Sequence, residues 1–181
     1  SSDMAAHVFE EIMKRNSEIP IKLCGLHSLD SCRIEKAYRH YGHDISSEDN
    51  IIEAGLGFAV KTHKSKGKFG DFIGKSAVEI KKQEGVERRM MQFVLKDTQP
   101  LLFHNEPIIK DDKIVGHLTS GNFGHHLGSS VGMGYVECSE KGESAENQLK
   151  GNYMIDVAGK RYQASPFLKP AYDPINNNIK I

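Results

Sequence analysis

The stretch with the clearest capacity for chemistry is residues 67–77, which read GKFGDFIGKSA and end in Gly-Lys-Ser, as a nucleotide-binding P-loop does. A P-loop also requires a glycine five residues before that last glycine, because successive backbone N–H groups have to wrap the phosphates. Phe69 stands there instead, and Asp71 would direct a carboxylate at the phosphates. The sequence therefore predicts a turn that leads into a helix, with Asp71 as its candidate N-cap.

The other short motifs are also incomplete. GLGFAV lacks the third glycine of a dinucleotide-binding fingerprint, since Val60 occupies that position. His40, His43 and Asp44 have a spacing that could ligate a metal, but no further ligand cluster accompanies them, so we expect no metal site. The histidine pair at 125–126 indicates a loop. A Ser-His-Asp triad stays open because triads are spatial, although no Gly-x-Ser-x-Gly elbow occurs, and no residue is assigned a catalytic role.

Charge and cysteine content restrict the partners and the compartment. Lys and Arg together number 24, as do Asp and Glu, and the net charge of +0 does not attract nucleic acid. The three cysteines form no C-x-x-C pair, which favours a reducing compartment: the cytosol, with the mitochondrial matrix as the alternative. No apolar run approaches the ~20 residues of a membrane helix. The chain begins at Ser1 without Met, and we expect it to be part of a longer one.

The sequence predicts two helices in the first half of the chain. Apolar residues three and four apart predict a helix that follows an Asp3 cap and lies on a core; they are Ala5, Val8, Phe9, Ile12 and Met13. After an extended segment at Pro20, residues 26–42 predict a second helix closed by Gly42. Residues 43–50 are polar and indicate a loop.

The kind of structure that the sequence predicts changes after Gly85. Residues 51–60 predict a buried short strand or a turn, and residues 73–85 a helix that stops at Gly85. From Arg88 onward, short apolar runs alternate with turn signals such as Asp111-Asp112 and Gly159-Lys160, and LTSG at 118–121 reads as a strand end. We therefore predict an α+β piece, a boundary near residue 86, and a small antiparallel β-barrel or sandwich after it.

Five segments in collinear order resemble a known family. They read GLHSLDSCRIEKAYRHYGHDI, EAGLGFAVKT, DFIGKSA, IVGHLTSGNF and VGMGYVEC. Together they are similar to the C-terminal half of the tetrahydrofolate-binding family that includes the glycine cleavage T-protein and the folate lobe of FAD-dependent sarcosine and dimethylglycine dehydrogenases. The resemblance implies an α+β class with the C-terminal portion of a T-protein-like folate-binding domain at 1–86 and a small antiparallel β-barrel at 87–181.

The resemblance also implies three cofactor-binding residues. Leu29 stands where the T-protein has a folate-contacting arginine, which favours the dehydrogenase branch; that branch keeps the motif's second arginine, here Arg33. Arg33 and Glu35 would shape the ligand site, or form a structural ion pair or cap. Phe58 matches an aromatic that lines the folate cavity, with a core phenylalanine as the alternative. Tyr172 resembles a tyrosine near the folate, with an ordinary tail residue as the alternative.

By this resemblance, the chain is the folate-binding lobe of an FAD-dependent N-methyl amine dehydrogenase that passes a one-carbon unit to tetrahydrofolate. Its small-molecule partners would be folate and the amine, with no nucleic acid and no membrane. The FAD domain and the pterin-binding glutamate would precede Ser1. The alternatives are a stand-alone aminomethyltransferase and a non-catalytic relative such as the pyruvate dehydrogenase phosphatase regulatory subunit, and the sequence upstream of Ser1 would discriminate between them.

Overall fold

Six antiparallel strands close into a barrel in the second half of the chain. The computed structural model describes residues 1–61, 72–178 and 180. The strands are β1 Arg88–Leu95, β2 Pro107–Lys110, β3 Lys113–Gly124, β4 Ser129–Glu137, β5 Tyr153–Val157 and β6 Lys160–Phe167. They follow one another around the barrel in the order β1-β4-β3-β2-β5-β6. The predicted class, mixed helix and sheet with a small antiparallel barrel, is confirmed.

The alternation of side chains along β1 explains how the barrel packs. Met91, Phe93 and Leu95 point into the barrel and join its buried interior. Met90 points the other way, into a second buried cluster with Ile34 of the helical part. Because both faces of β1 are covered, apolar residues occupy both alternating positions from Met90 to Leu95, with Gln92 as the one polar exception.

Tight turns join the strands where the sequence predicts them. Asp111 and Asp112 both have positive φ (49° and 65°) in the two-residue turn between β2 and β3. Ala158 and Gly159 make the equivalent turn between β5 and β6, one residue earlier than predicted. Aspartate and glycine tolerate the left-handed backbone that such hairpin turns require. Residues 118–121, predicted as a strand end, instead lie in the middle of β3.

Four α-helices accompany the barrel in the described residues. They are α1 Ala5–Met13, α2 Leu26–Glu35, α3 Lys75–Glu84 and the short α4 Ala145–Gln148. Helix α3 ends as predicted at Gly85, whose φ of 86° suits a residue without a side chain. The P-loop-like residues up to Asp71 lie outside the described residues, so its predicted cap is not described. No helix in the described ranges is long and apolar enough to cross a bilayer.

The prediction for α1 is right about the helix and wrong about the core. Val8, Phe9 and Ile12 form the expected stripe, yet each side chain stays about half exposed, and no residue of α1 is buried. Asp3 does not cap α1, because it lies inside the preceding 3-10 turn Ser2–Met4 and accepts a hydrogen bond from Ser1. Helical periodicity fixes which residues share a face, but not whether anything covers that face.

The second helix is also shorter than predicted. It ends at Glu35 instead of running to Gly42, because Ala37 adopts a positive φ of 52° and the Tyr38 N–H donates to the Arg33 carbonyl (2.8 Å). Residues 51–60 form a turn with a 3-10 segment at Gly57–Ala59, so the turn alternative was right and the strand alternative wrong.

Candidate functional site

Two cavities border the end of α2. The first, here called the cleft, has a volume of about 220 Å³ and lies between α2, β3 and residues 101–104; its lining includes His27, Asp30, Arg33, His43, Phe103 and Ser120. The second, here called the groove, has a volume of about 490 Å³. It lies between the end of α2, the turn at 55–58 and residues 168–176, and its lining includes Lys36, Tyr38, Arg39, Phe58, Lys169 and Pro170.

Arg33 lines the cleft, and its guanidinium is committed to neighbouring groups. Nε donates to Asp30 (2.6 Å), one turn earlier on α2. Nη1 donates to Asp44 (2.8 Å) and to the Tyr38 carbonyl (3.2 Å), and Nη2 donates to Ser120 Oγ (3.0 Å). An arginine has five N–H donors, so one remains for a ligand. The geometry makes Arg33 mainly an organiser of the junction between α2 and β3.

Asp44 is the buried centre of this junction. Its side chain accepts from Arg33, from the His40 backbone N–H (2.8 Å) and from the Thr119 hydroxyl (2.5 Å). A carboxylate can be buried only when donors of this kind replace water. The histidines flanking it, His40 and His43, place their rings 4.6 Å apart. No group of three metal-ligating side chains occurs within the described ranges.

Glu35 does not pair with Arg33. Its buried carboxylate accepts the backbone N–H groups of His126 (2.7 Å) and Leu127 (3.0 Å), and His126 Nδ1 lies 3.1 Å from it. His125 and His126 lie in the turn between β3 and β4, and the sequence predicts a loop there. Glu35 therefore fixes the end of α2 to that turn.

The groove has an exposed aromatic rim. Phe58 is 84% exposed on the Gly57–Ala59 turn, so it is not a core residue of the described chain. Tyr38, also exposed, lines the same groove. Flat aromatic faces that reach solvent beside a cavity can stack on a planar ligand.

The groove also has a partly buried cation. Arg39 donates from Nε to the Ala54 carbonyl (3.0 Å) and from Nη1 to the Ala37 carbonyl (2.5 Å). Burial lowers the pKa of its guanidinium, and the Asp44 carboxylate partly offsets that effect. Gly55 packs so closely that a Cβ there would lie 2.8 Å from Arg39 Nη2. Gly55 also has a φ of 70°, in the left-handed region that favours glycine, so a side chain at this position would be strained.

Tyr172 lies beside the groove and outside its lining residues. Its ring lies 4.5 Å from that of His126, and Lys36 Nζ lies 5.8 Å from its centre. Of the three cofactor-binding residues predicted from the sequence, Arg33 lines the cleft, Phe58 lines the groove and Tyr172 lines neither. The structure does not bring the three into one cavity.

Sequence reasoning missed two buried polar residues next to the groove. Lys36 is 7% exposed and Gln92 is 3% exposed. Gln92 donates to the Ile34 carbonyl (2.6 Å) and accepts the Ala171 N–H (2.7 Å). The sequence does mark Gln92 as unusual, because it is a polar residue inside an otherwise apolar strand segment. Nothing in the sequence marks Lys36, which looks like an ordinary lysine at the end of a helix.

The architecture has recognisable counterparts among known proteins. Residues 1–64 match the GCVT N-terminal domain, and residues 88–173 match the glycine cleavage T-protein C-terminal barrel domain. The chain is also similar to the crystal structure of glycine cleavage system aminomethyltransferase T from Bartonella henselae, with a TM-score of 0.70 over 89% of this chain and 42% of that one. At 24% identity, this likeness shows the shared fold alone.

Three relatives cover nearly all of the chain. It is 33% identical, over 99% of its length, to 4-methylaminobutanoate oxidase (formaldehyde-forming) of Paenarthrobacter nicotinovorans. It is 30% identical over 96% to mitochondrial sarcosine dehydrogenase of Homo sapiens. It is 34% identical over 93% to the mitochondrial pyruvate dehydrogenase phosphatase regulatory subunit of Mus musculus. The chain spans 20%, 18% and 20% of these relatives, respectively.

Proposed function

The chain belongs to the glycine cleavage T-protein family, and from that premise we propose that it is the folate-binding lobe of an FAD-dependent N-methyl amine dehydrogenase of the sarcosine or dimethylglycine type. In this proposal, residues 1–86 form the C-terminal portion of the folate-binding domain, and residues 87–181 form the barrel domain. The observation that carries the proposal is the groove: it combines the exposed Phe58 ring with the partly buried Arg39 cation.

The chemistry of a reduced folate fits that combination. The ligand has a planar pterin and an aminobenzoyl ring, which an exposed phenylalanine can stack against. It ends in carboxylates, which a guanidinium binds by charge-assisted hydrogen bonds. A volume of about 490 Å³ lies within the range of small-molecule pockets. In the proposal, Phe58 stacks on a ring of the folate, while Arg39 and the exposed Lys169 attract its carboxylates.

In this proposal, Arg33 and Tyr172 do not contact the folate but hold residues that form the groove. Arg33 holds the Tyr38 carbonyl (3.2 Å) and so orients a residue of the groove lining. Tyr172 belongs to the segment that makes one wall of the groove, and it rests on His126. We propose that both residues influence folate binding by fixing the groove's shape.

The proposed reaction divides between two parts of the protein. The flavin, in a domain outside this chain, would oxidise the N-methyl group, and bound tetrahydrofolate would accept the one-carbon unit that water otherwise releases as formaldehyde. The residues described here would hold the folate, orient its amine nitrogens and exclude water. None of them is assigned a catalytic role. We place the protein in a reducing compartment, either the cytosol or the mitochondrial matrix.

A second candidate is a non-catalytic regulatory role. The 34% identity to the pyruvate dehydrogenase phosphatase regulatory subunit supports it. A flavin-independent aminomethyltransferase is a further alternative, and the similar fold of the Bartonella henselae protein is compatible with it. An arginine at position 29 would favour that transferase, but Leu29 is present and 57% exposed.

Product analysis of the full-length protein tests the proposal. The protein is incubated with sarcosine and with dimethylglycine, with and without tetrahydrofolate, and formaldehyde and flavin reduction are measured. The proposal expects amine-dependent flavin reduction and less free formaldehyde when tetrahydrofolate is added. A protein that binds neither amine nor folate supports the regulatory role. One-carbon transfer to folate without flavin supports the transferase.

A further inference from the structure

Residues 168–178, here called the strap, cross the end of α2 after the last barrel strand. The strap contributes Leu168, Lys169, Pro170, Pro174 and Asn176 to the lining of the groove. The opposite side of the groove comes from the chain around Ile45 and from the 55–58 turn. The position of the strap therefore sets the width of the groove.

Lys36 is the charged group that holds the strap. Its Nζ donates to the Asp173 carbonyl (2.7 Å) and to Asn176 Oδ1 (2.8 Å), and it lies 3.4 Å from Asp173 Oδ2. An ammonium has three N–H donors, and every acceptor around Lys36 belongs to the strap. The two charged side chains are 8% and 4% exposed, so water competes little for them.

Asp173 also shapes the strap itself. It has a positive φ of 45°, and its carbonyl accepts the Asn176 N–H (3.0 Å) to close a turn. Its carboxylate accepts the backbone N–H groups of Asn177 (2.7 Å) and Asn178 (3.2 Å). The ion pair with Lys36 thus connects α2 to the residue around which the strap folds.

Three other contacts hold the strap without Lys36. Gln92 of β1 accepts the Ala171 N–H, and the Tyr172 ring lies against His126. Leu168 packs on the barrel interior. The barrel core itself lies among the strands and does not include Lys36. Loss of Lys36 should therefore loosen the strap while leaving the barrel closed.

We propose that Lys36 is a positioning residue: through Asp173 and Asn176 it fixes the strap as a wall of the groove, and so sets the affinity of the groove for its ligand. The naming of that ligand as folate rests on the proposed function. Lys36 does not act on the reacting atoms, and its effect on the ligand passes through the strap.

Amide hydrogen exchange in the full-length protein tests the positioning role directly. Lys36→Met removes the ammonium and keeps the length of the stem, and Asp173→Asn removes the opposite charge. Each variant should speed exchange of the Ala171 and Asn176 amides by about tenfold or more, the change expected when a buried pair loses one partner. Amides of β1 and β4 should keep their rates. Asp173→Asn provides the same test if Lys36→Met does not fold.

The exposed ion pair between Lys141 and Glu84 offers a matched control. These side chains are 45% and 54% exposed, and neither lines the groove. Lys141→Met should leave strap amides unchanged. Unchanged strap amides in both Lys36→Met and Asp173→Asn would overturn the proposal, and so would an equal acceleration of barrel amides, which indicates a general loss of stability.

A titration with tetrahydrofolate examines the consequence for the groove. Lys36→Met should raise the dissociation constant about tenfold, and the double variant with Asp173→Asn should add little, because both changes remove one interaction. A loosened strap with wild-type folate affinity would overturn the link between strap and groove. If the wild-type protein binds no folate, the proposed function fails, and hydrogen exchange still decides whether Lys36 positions the strap.

Discussion

At the scale of single residues, the groove and the core depend on different side chains. Phe58 is 84% exposed, whereas Phe93 inside the barrel is 0% exposed. An exposed aromatic ring contributes little to the free energy of folding, so its presence beside a cavity needs another explanation. Binding of a flat ligand supplies one.

Phe58→Ala is therefore expected to weaken folate binding without lowering the melting temperature. The stacking of two aromatic rings contributes roughly 0.5 to 1.5 kcal/mol beyond area burial, so the dissociation constant should rise by a factor of about 2 to 13. Isothermal titration and thermal melts measure the two quantities. Phe103→Ala is the matched control, since Phe103 is 62% exposed but lines the cleft. A large loss of melting temperature with wild-type folate affinity would return Phe58 to a structural role.

Asp44→Asn is expected to destabilise the protein strongly. The substitution leaves the Arg33 guanidinium, whose side chain is 12% exposed, without its buried counter-charge. Breaking a buried pair on one side costs about 3 to 5 kcal/mol. Urea unfolding measures the loss, and Asp112→Asn, in an exposed pair with Arg161, should cost only about 0 to 1 kcal/mol. Similar losses for the two variants would show that Asp44 is not the centre of the α2–β3 junction.

At the scale of elements, Glu53 connects three parts of the chain. It lies in the turn at 51–55, accepts from Lys81 of α3 (2.8 Å) and from Arg88 of β1 (3.0 Å), and is 6% exposed. Burial alone raises the pKa of Glu53, but the hydrogen bonds and charges of Lys81 and Arg88 outweigh burial and lower it. The folded pKa therefore lies below the unfolded one.

The stability that Glu53 supplies should depend on pH. Because the folded pKa is lowered, the contribution is complete above the unfolded pKa of about 4.3 and is lost as the pH falls through the lower, folded pKa. Urea unfolding of the wild type and of Glu53→Gln between pH 7 and 3 should show a difference that is constant near neutrality and shrinks below about pH 4. Glu48→Gln, at an exposed position, should show no such trend. A difference that grows on acidification would contradict this account.

Elements with local signals were predictable from the sequence, and elements fixed by distant contacts were not. Gly85 stops α3, and the Asp111-Asp112 turn closes a hairpin, because both depend on backbone preferences of nearby residues. The end of α2 was missed because Ala37, a good helix former by residue type, adopts a positive φ of 52°, while Lys36 beside it bonds to Asp173, 137 residues later. For α1, periodicity identified the helix, but only the structure shows that its apolar stripe is not buried.

The candidate site was predictable only in part, for the same reason. Resemblance singled out Phe58, and the structure places it at the groove. Arg33 and Tyr172 were also singled out, but Arg33 lines the cleft, and Tyr172 lies in the strap with its ring against His126, outside the groove lining. Spacing in the sequence does not reveal either position. Lys36 gave no signal, because its partners lie far along the chain.

At the scale of the whole molecule, the barrel has a complete core while the first part does not. The two buried clusters centre on the strands and on the last turns of α2, and the segment up to Ser28 has no buried residue. In the proposed function, the flavin domain lies outside this chain. In that case the groove is one part of a larger active site.

The isolated 181-residue chain should therefore show no turnover with sarcosine or dimethylglycine. The described residues can hold and orient a ligand, but the oxidation is assigned to a flavin domain outside this chain. Formaldehyde assays on the purified chain, alone and with added free FAD, check the expectation, and the full-length protein is the positive control. Turnover by the isolated chain without flavin would contradict the proposed division of labour.

The central claim is that the groove binds folate, and a titration of tetrahydrofolate into the full-length protein tests it most directly. We expect one saturable site whose affinity for tetrahydrofolate falls in Phe58→Ala and in Lys36→Met, while the affinity of the Lys141→Met control and amine-dependent flavin reduction stay unchanged. The absence of saturable binding, or binding that both groove variants leave intact, would contradict it.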